Sequence, residues 1–219
     1  MDMRKYYARR AGEYEAIYGR KEPGRQREQR KIAADLGLCL TGRKVLEIAC
    51  GTGYWTQPLS QTARRIVATD VNIEVLNIAK AKTYGCPVSF QKRDAYSLGI
   101  KSSTFDGGLA NFWFSHIPKY RIDEFLKEFH KTLKPGAIVF MADNVYIEGI
   151  GGTLLNLPGD ENTYKKRQLL DGSVNRVLKN YYQADELAEI FSRYDPSFTT
   201  GCINYGKAFW WLSYQPKKQ

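Results

Sequence analysis

Three acids and a glycine turn stand at positions where chemistry is expected. Glu47 lies in VLEIACGTGYWT (Val45 to Thr56), Asp70 in ATDVN and Asp94 in KRDAYSL, each at the end of a short apolar run. Gly51 and Gly53 follow Glu47 closely, and glycines there let a backbone approach a ligand and adopt torsions that a Cβ forbids. A dinucleotide fingerprint needs a third small residue at the helix start, but Thr56 follows the bulky Tyr54 and Trp55, which argues against a pyrophosphate cradle. Glu47 would also repel a phosphate across a desolvated crevice, whereas it suits a cation. Asp70 is placed to accept hydrogen bonds from ribose hydroxyls, and Asp94 to take an adenine amino proton while Ala95 offers its N–H. One strand-end Asp is as readily a helix cap. Three acids in register with a glycine turn fit a sulfonium nucleoside.

These residues must be held by an alternation of strands and helices. KVLEIA (44–49), RIVATD (65–70), PVSFQK (87–92), FDGGLA (105–110) and AIVFMAD (137–143) read as buried strands of a parallel sheet. Helices are expected over Tyr54 to Thr62, Ile73 to Tyr84 and Lys119 to Leu133, the last stopped by LKPG. The order argues for an open, doubly wound α/β sheet, whose ligands bind beyond the carboxyl ends of the strands. Downstream come a glycine-rich irregular stretch (147–162), a helix in QADELAEIFSRY, and strands in TTGCINYG and KAFWWLSYQ. The first forty residues read as a helical cap, residues 41–145 as the cofactor-binding core, and 146–219 as a substrate-side insertion with the last strands, all in one domain.

Composition narrows the classes. A chain of 219 residues, 43% hydrophobic, can bury the core of a single domain. Cys39, Cys50, Cys86 and Cys202 form no C-x-x-C pair and only two histidines accompany them, so no metal is expected and the thiols suit a reducing compartment. No apolar run of about 18 residues offers a membrane span, and the reading is a soluble, cytoplasmic protein, monomer or homodimer. The net charge is +10, and residues 1–31 carry ten Lys or Arg against five acids. Mixed signs along helices with no RNA-binding signature read as a solvated face, so a nucleic-acid partner is not favoured.

Taken in order, VLEIACGTGYWT, ATDVN, RDAYSL, FDGGLANFWFSHIP and LKPGAIVFMADN resemble the successive motifs of the class I S-adenosylmethionine-dependent methyltransferases, over about residues 40–145. The resemblance implies a Rossmann-like seven-stranded sheet with its last strand antiparallel. It implies S-adenosylmethionine as cofactor, with S-adenosylhomocysteine as product. Contacts would come from Glu47, Ala49, Cys50, Gly51 and Gly53 at the first turn, Asp70 and Val71 at the ribose, Asp94 and Ala95 at the adenine, and Asn111 and Phe112 beside the methionine part. Ala49 departs from the glycine that many members carry there.

The fold does not name the methyl acceptor. The N-terminal YYARRAGEYEAIYGR is similar to the capping helix of small-molecule methyltransferases, which makes Tyr14 and Tyr18 candidate substrate contacts. R-x-L-x-D-G-x-x-x-x-V-x-K-x-[FY] and SHIP resemble a subgroup that includes a phosphonate O-methyltransferase. That likeness implies an anionic acceptor held by Arg167 and Lys179, with Asn144 nearby and His116 as the catalytic residue facing the methyl donor. Arg suits a forked pair with a phosphonate or carboxylate, and Lys adds a point charge. Methylation of a small amine, methylation of RNA or protein through the basic N-terminal segment, and binding of the cofactor without turnover remain open alternatives.

Overall fold

The computed structural model describes Tyr6, Arg10, residues 22–169 and residues 172–217. The expected runs form β1 (Lys44–Glu47), β2 (Arg65–Asp70), β3 (Val88–Lys92), β4 (Phe105–Asn111) and β5 (Leu133–Asn144). They pair in parallel in the order β3-β2-β1-β4-β5, so the strand order reverses between β1 and β4. The last strand, β10 (Phe209–Tyr214), lies antiparallel to β5 and carries β9 (Ile203–Tyr205) on its outer edge. The result is the expected Rossmann-like α/β fold of seven strands.

Helices cover both faces. On one, α1 (Pro23–Cys39), α2 (Thr56–Ser60) and α3 (Ile73–Lys80) bury Ile32, Leu36, Leu59 and Leu76 against Val45, Ile66 and Leu109. On the other, α4 (Ile122–Lys131) and α5 (Ala184–Ser192) bury Phe125, Phe129, Leu187 and Phe191 against Leu46, Val139 and Trp210. Pro23 opens α1, where a missing N–H costs nothing. Two acids fix α1 on β10. The Glu28 carboxylate accepts from the N–H groups of Lys207, Ala208 and Phe209 at 2.9–3.0 Å, and Asp35 accepts from Trp211 Nε1 at 2.7 Å. Gly206 leaves room for this: a Cβ there would lie 2.6 Å from the Glu28 carboxylate.

Several boundaries move for local reasons. The helix expected from Tyr54 begins at Thr56, because Gly53 holds φ +79 and keeps the preceding turn out of helix. Extended Pro118 and a 3₁₀ turn at Lys119–Arg121 delay α4 to Ile122. LKPG, expected as a stop, opens β5: the pairing slips from Phe105↔Leu133 to Gly107↔Ile138, and Gly136 takes φ +75. The glycine-rich stretch contains β6 (Thr153–Asn156), which joins β7 (Thr163–Gln168) and β8 (Val174–Leu178) in a separate antiparallel sheet. Among the described residues, no helix is long and apolar enough to cross a membrane, and no group of His, Cys, Asp or Glu could hold a metal ion.

Candidate active site

A cavity of about 280 Å³ opens at the carboxyl ends of β1, β2 and β4, where the strand order reverses. Ala49, Gly51, Asp70 and Val71 line it on the β1 and β2 side; Asp94, Ala95, Phe112 and His116 line the remainder. Asp70 braces the turn: Gly51 N–H donates to its Oδ2 at 3.0 Å and Asn72 N–H to its Oδ1 at 2.9 Å. Burial raises the Asp70 carboxyl, against these hydrogen bonds. Asp94 Oδ1 accepts from Tyr96 N–H at 3.0 Å. Ala49 (φ +51) and Phe112 (φ +57) both take left-handed torsions on the wall of this cavity. Such torsions cost about 1–2 kcal/mol for a residue with a Cβ and concentrate at functional sites.

Four residues expected at the cofactor stand just behind the wall. Glu47 is 2% exposed and accepts from Thr56 Oγ1 at 2.7 Å. No basic group among the described residues pairs with it, and burial pushes its carboxyl up to about 7. Asn111, also buried, has neither side-chain amide atom hydrogen-bonded. An unneutralised carboxyl and an unsatisfied amide at neighbouring strand ends are complementary to a ligand that brings a positive charge and polar atoms. The Cys50 thiol is buried and its pKa is driven up by that burial, so its side chain is packing. Gly53 serves the fold more than the cavity, since a Cβ there would come within 2.5 Å of the Tyr84 hydroxyl and 3.2 Å of Ala79 Cβ.

A second group of polar side chains adjoins His116. Its Nδ1–H donates to the Leu178 carbonyl at 2.7 Å, which places the basic lone pair on Nε2. Desolvation first, then the charges of Lys179 and Arg167, hold its pKa well below neutrality, with Asp143 opposing. Lys179 was expected to reach an anion directly. It is instead 3% exposed, with its ammonium donating to Asp143 Oδ1 at 2.8 Å and to Ser115 Oγ. Burial would raise Asp143, but Lys179, His116 and the Ser115 N–H hold it down to about 2. Lys179 therefore acts through its field and through the placement of Ser115. Asn144 donates to Asp143 Oδ1 at 3.0 Å and accepts from Arg25 Nη2 at 3.5 Å. Tyr14 and Tyr18 lie outside the described residues.

Arg25 and Lys165, both buried, join this group without having been singled out in the sequence. The Arg25 guanidinium covers the Phe209 ring at 4.4 Å. Lys165 donates to the carbonyls of Gly152 and Ile150 at 2.8 and 3.2 Å and sits 4.9 Å from the Tyr146 ring and 5.8 Å from the Tyr181 ring. Arg167, partly buried, acts electrostatically on His116, Lys165, Lys179 and Tyr181. Lys165 was legible in TYKKRQ: strand alternation puts it on the face of Arg167. Arg25 was hidden in a basic run that otherwise reads as solvated.

Comparisons with known proteins agree with this architecture. Residues 45–136 match the methyltransferase domain family. A demethylmenaquinone methyltransferase of Staphylococcus aureus (strain MRSA252) is 30% identical over 115 residues, 51% of this chain and 46% of that protein. The chain thus spans about half the length of the curated relatives it matches. The structure of a DhpI–SAH complex superposes with a TM-score of 0.76 at 24% identity, covering 99% of this chain and 96% of that one. A Burkholderia thailandensis 1,6-didemethyltoxoflavin-N1-methyltransferase with bound 1,6-didemethyltoxoflavin and S-adenosylhomocysteine superposes at 0.64 with 17% identity, over 98% and 87% of the two chains. With the motif core at 45–136 and this strand order, the chain belongs to the class I S-adenosylmethionine-dependent methyltransferase superfamily.

Proposed function

We propose that the protein transfers a methyl group from S-adenosylmethionine to an oxygen of a small anionic metabolite. The cofactor half of this reading is supported by the cavity at the β1/β4 reversal, with Asp70 and Asp94 on its wall and the unneutralised Glu47 and unsatisfied Asn111 behind it. When bound, S-adenosylmethionine supplies a methyl group on a sulfonium whose sulfur leaves with the bonding pair. Glu47, Asp70 and Asp94 hold its amino-acid, ribose and adenine parts.

The acceptor half rests on one observation: Arg25, Arg167 and Lys179 lie within electrostatic reach of one another, beside a histidine that lines the cofactor cavity. Each cation disfavours the next in that low-dielectric setting, and an anion among them relieves the repulsion. Arg167 offers the forked donors that a phosphonate or carboxylate prefers. An acceptor oxygen arriving as a hydroxyl gives its proton to His116 Nε2; one already ionised is only oriented there. Alignment of that oxygen with the methyl carbon supplies most of the acceleration.

Calorimetric titration with S-adenosylhomocysteine, then turnover of S-adenosylmethionine against phosphonates, carboxylates, phenols and amines, tests both halves. Binding with turnover on acidic acceptors is the expected result. Turnover confined to amines overturns the anionic-acceptor reading, and absence of binding overturns the cofactor reading.

A further inference from the structure

At the Asp94 end of the cavity stands a stack that the motifs do not contain. The guanidinium carbon of Arg121 lies 3.5 Å from the centroid of the Tyr96 ring, and both residues line the cavity. Arg121 is held in the plane by Glu124: Nε and Nη2 each donate to one of its carboxylate oxygens at 2.6 Å. Tyr96 is held from the other side by edge contacts with Trp113 and Phe125, at ring separations of 6.3 and 6.4 Å. Its backbone N–H is tied to Asp94 Oδ1. Trp113 lines the same wall, and its indole Nε1 is buried without a hydrogen-bond partner.

A guanidinium fixed by a bidentate carboxylate has no side-chain entropy left to lose, and its π-face takes aromatic rings well. The alternative role, a surface ion pair that merely caps the start of α4, would be worth little and would not require the residue to line a cavity. We infer that the Arg121–Tyr96 stack is the platform for the purine ring of the cofactor. Arg121 contributes a flat cationic face, and Glu124 acts as a positioning residue through it. This rests on the cofactor reading above and adds the residues that recognise the base by its face. Asp94 reads its edge.

The test is calorimetric titration of the full chain with S-adenosylhomocysteine and with S-inosylhomocysteine, whose 6-oxo group changes the base edge and leaves the face. Stacking in a partly desolvated site is worth enough that Arg121→Ala should weaken both ligands by the same factor, about three- to thirtyfold. Arg121→Lys, which keeps charge without a plane, should lose most of that affinity, and Glu124→Gln a smaller part. The turnover rate at saturating cofactor should stay as in the wild type. Affinity within twofold of wild type in Arg121→Ala, full affinity in Arg121→Lys, or a loss confined to one of the two ligands overturns the platform. If Arg121→Ala melts early, Arg121→Lys and Glu124→Gln decide the matter. Failure of the wild type to bind either ligand overturns the cofactor reading instead, so the two failures are distinguishable.

Discussion

Thr56 Oγ1 donates a 2.7 Å hydrogen bond to Glu47 Oε2 inside the core, and that hydroxyl is the side-chain partner the buried carboxyl has. Burial lifts Glu47 from 4.5 to about 7, so folding favours its protonated form. The stability this gives is complete below about pH 4.5 and is lost as pH rises through 7. The cost at pH 8 is roughly 2–3 kcal/mol. A positively charged ligand reverses the sign by favouring the carboxylate. Glu47→Gln should therefore raise the melting temperature of the ligand-free protein at pH 8, with little change at pH 4.5. The same variant should weaken S-adenosylhomocysteine binding. Equal melting shifts at both pH values would show that Glu47 is not protonated in the ligand-free fold.

Ala49 shows how a family pattern and a torsion meet. Its φ of +51 explains why glycine suits this position: the left-handed region costs a Cβ-bearing residue about 1–2 kcal/mol, while glycine gives back about 0.5–1 kcal/mol in unfolded-chain entropy. Ala49→Gly should stabilise the protein by up to about 1 kcal/mol, read as a higher urea midpoint at unchanged slope. A lower midpoint would mean that the alanine methyl packs well enough to outweigh its torsion.

Much of the fold was legible because local and global signals agree. The parallel strands read as apolar runs, since both sheet faces are covered, and the acids at their ends mark the reversal point at β1/β4. The acceptor side was harder. Lys179 reads as an exposed charge next to a turn, and only tertiary packing against Asp143 and Ser115 turns it inward. Arg25 belongs to a helix whose polar face carries many charges, and its burial follows from the docking of Glu28 and Asp35 on β10, a contact between segments about 180 residues apart. Tyr96 and Arg121 sit in connections, where no periodicity reports on stacking.

The buried pair Lys179–Asp143 should be costly to break and cheap to replace. Lys179→Met leaves Asp143, fully buried, without its ammonium, which costs about 3–5 kcal/mol. Adding Asp143→Asn to that variant removes the stranded charge and should restore more than half of the loss. Denaturant unfolding of both single variants and the double variant gives the coupling energy. Additive losses would mean the pair does not act as a unit.

His116 makes the proposed mechanism sensitive to pH in an unusual direction. Its unperturbed pKa would give a falling rate below about 6.5. Desolvation and the fields of Lys179 and Arg167 depress it, so the ring stays neutral well below that point. The rate should then be flat from pH 6 to 9 in the wild type. His116→Ala should lower it by about a hundredfold or more if the acceptor gives up a proton, and by far less if the acceptor arrives ionised. Arg167→Gln removes one of the depressing charges and should move the histidine upward, bringing an acidic limb closer to neutrality. Proton NMR of the His116 ring in the two proteins reads this directly. An anion bound beside Arg167 should shift the same resonance in the same direction, because it cancels the field that the substitution removes. A wild-type acidic limb near 6.5, unmoved by Arg167→Gln, would separate His116 from the cationic group and remove it from the proposed acceptor site.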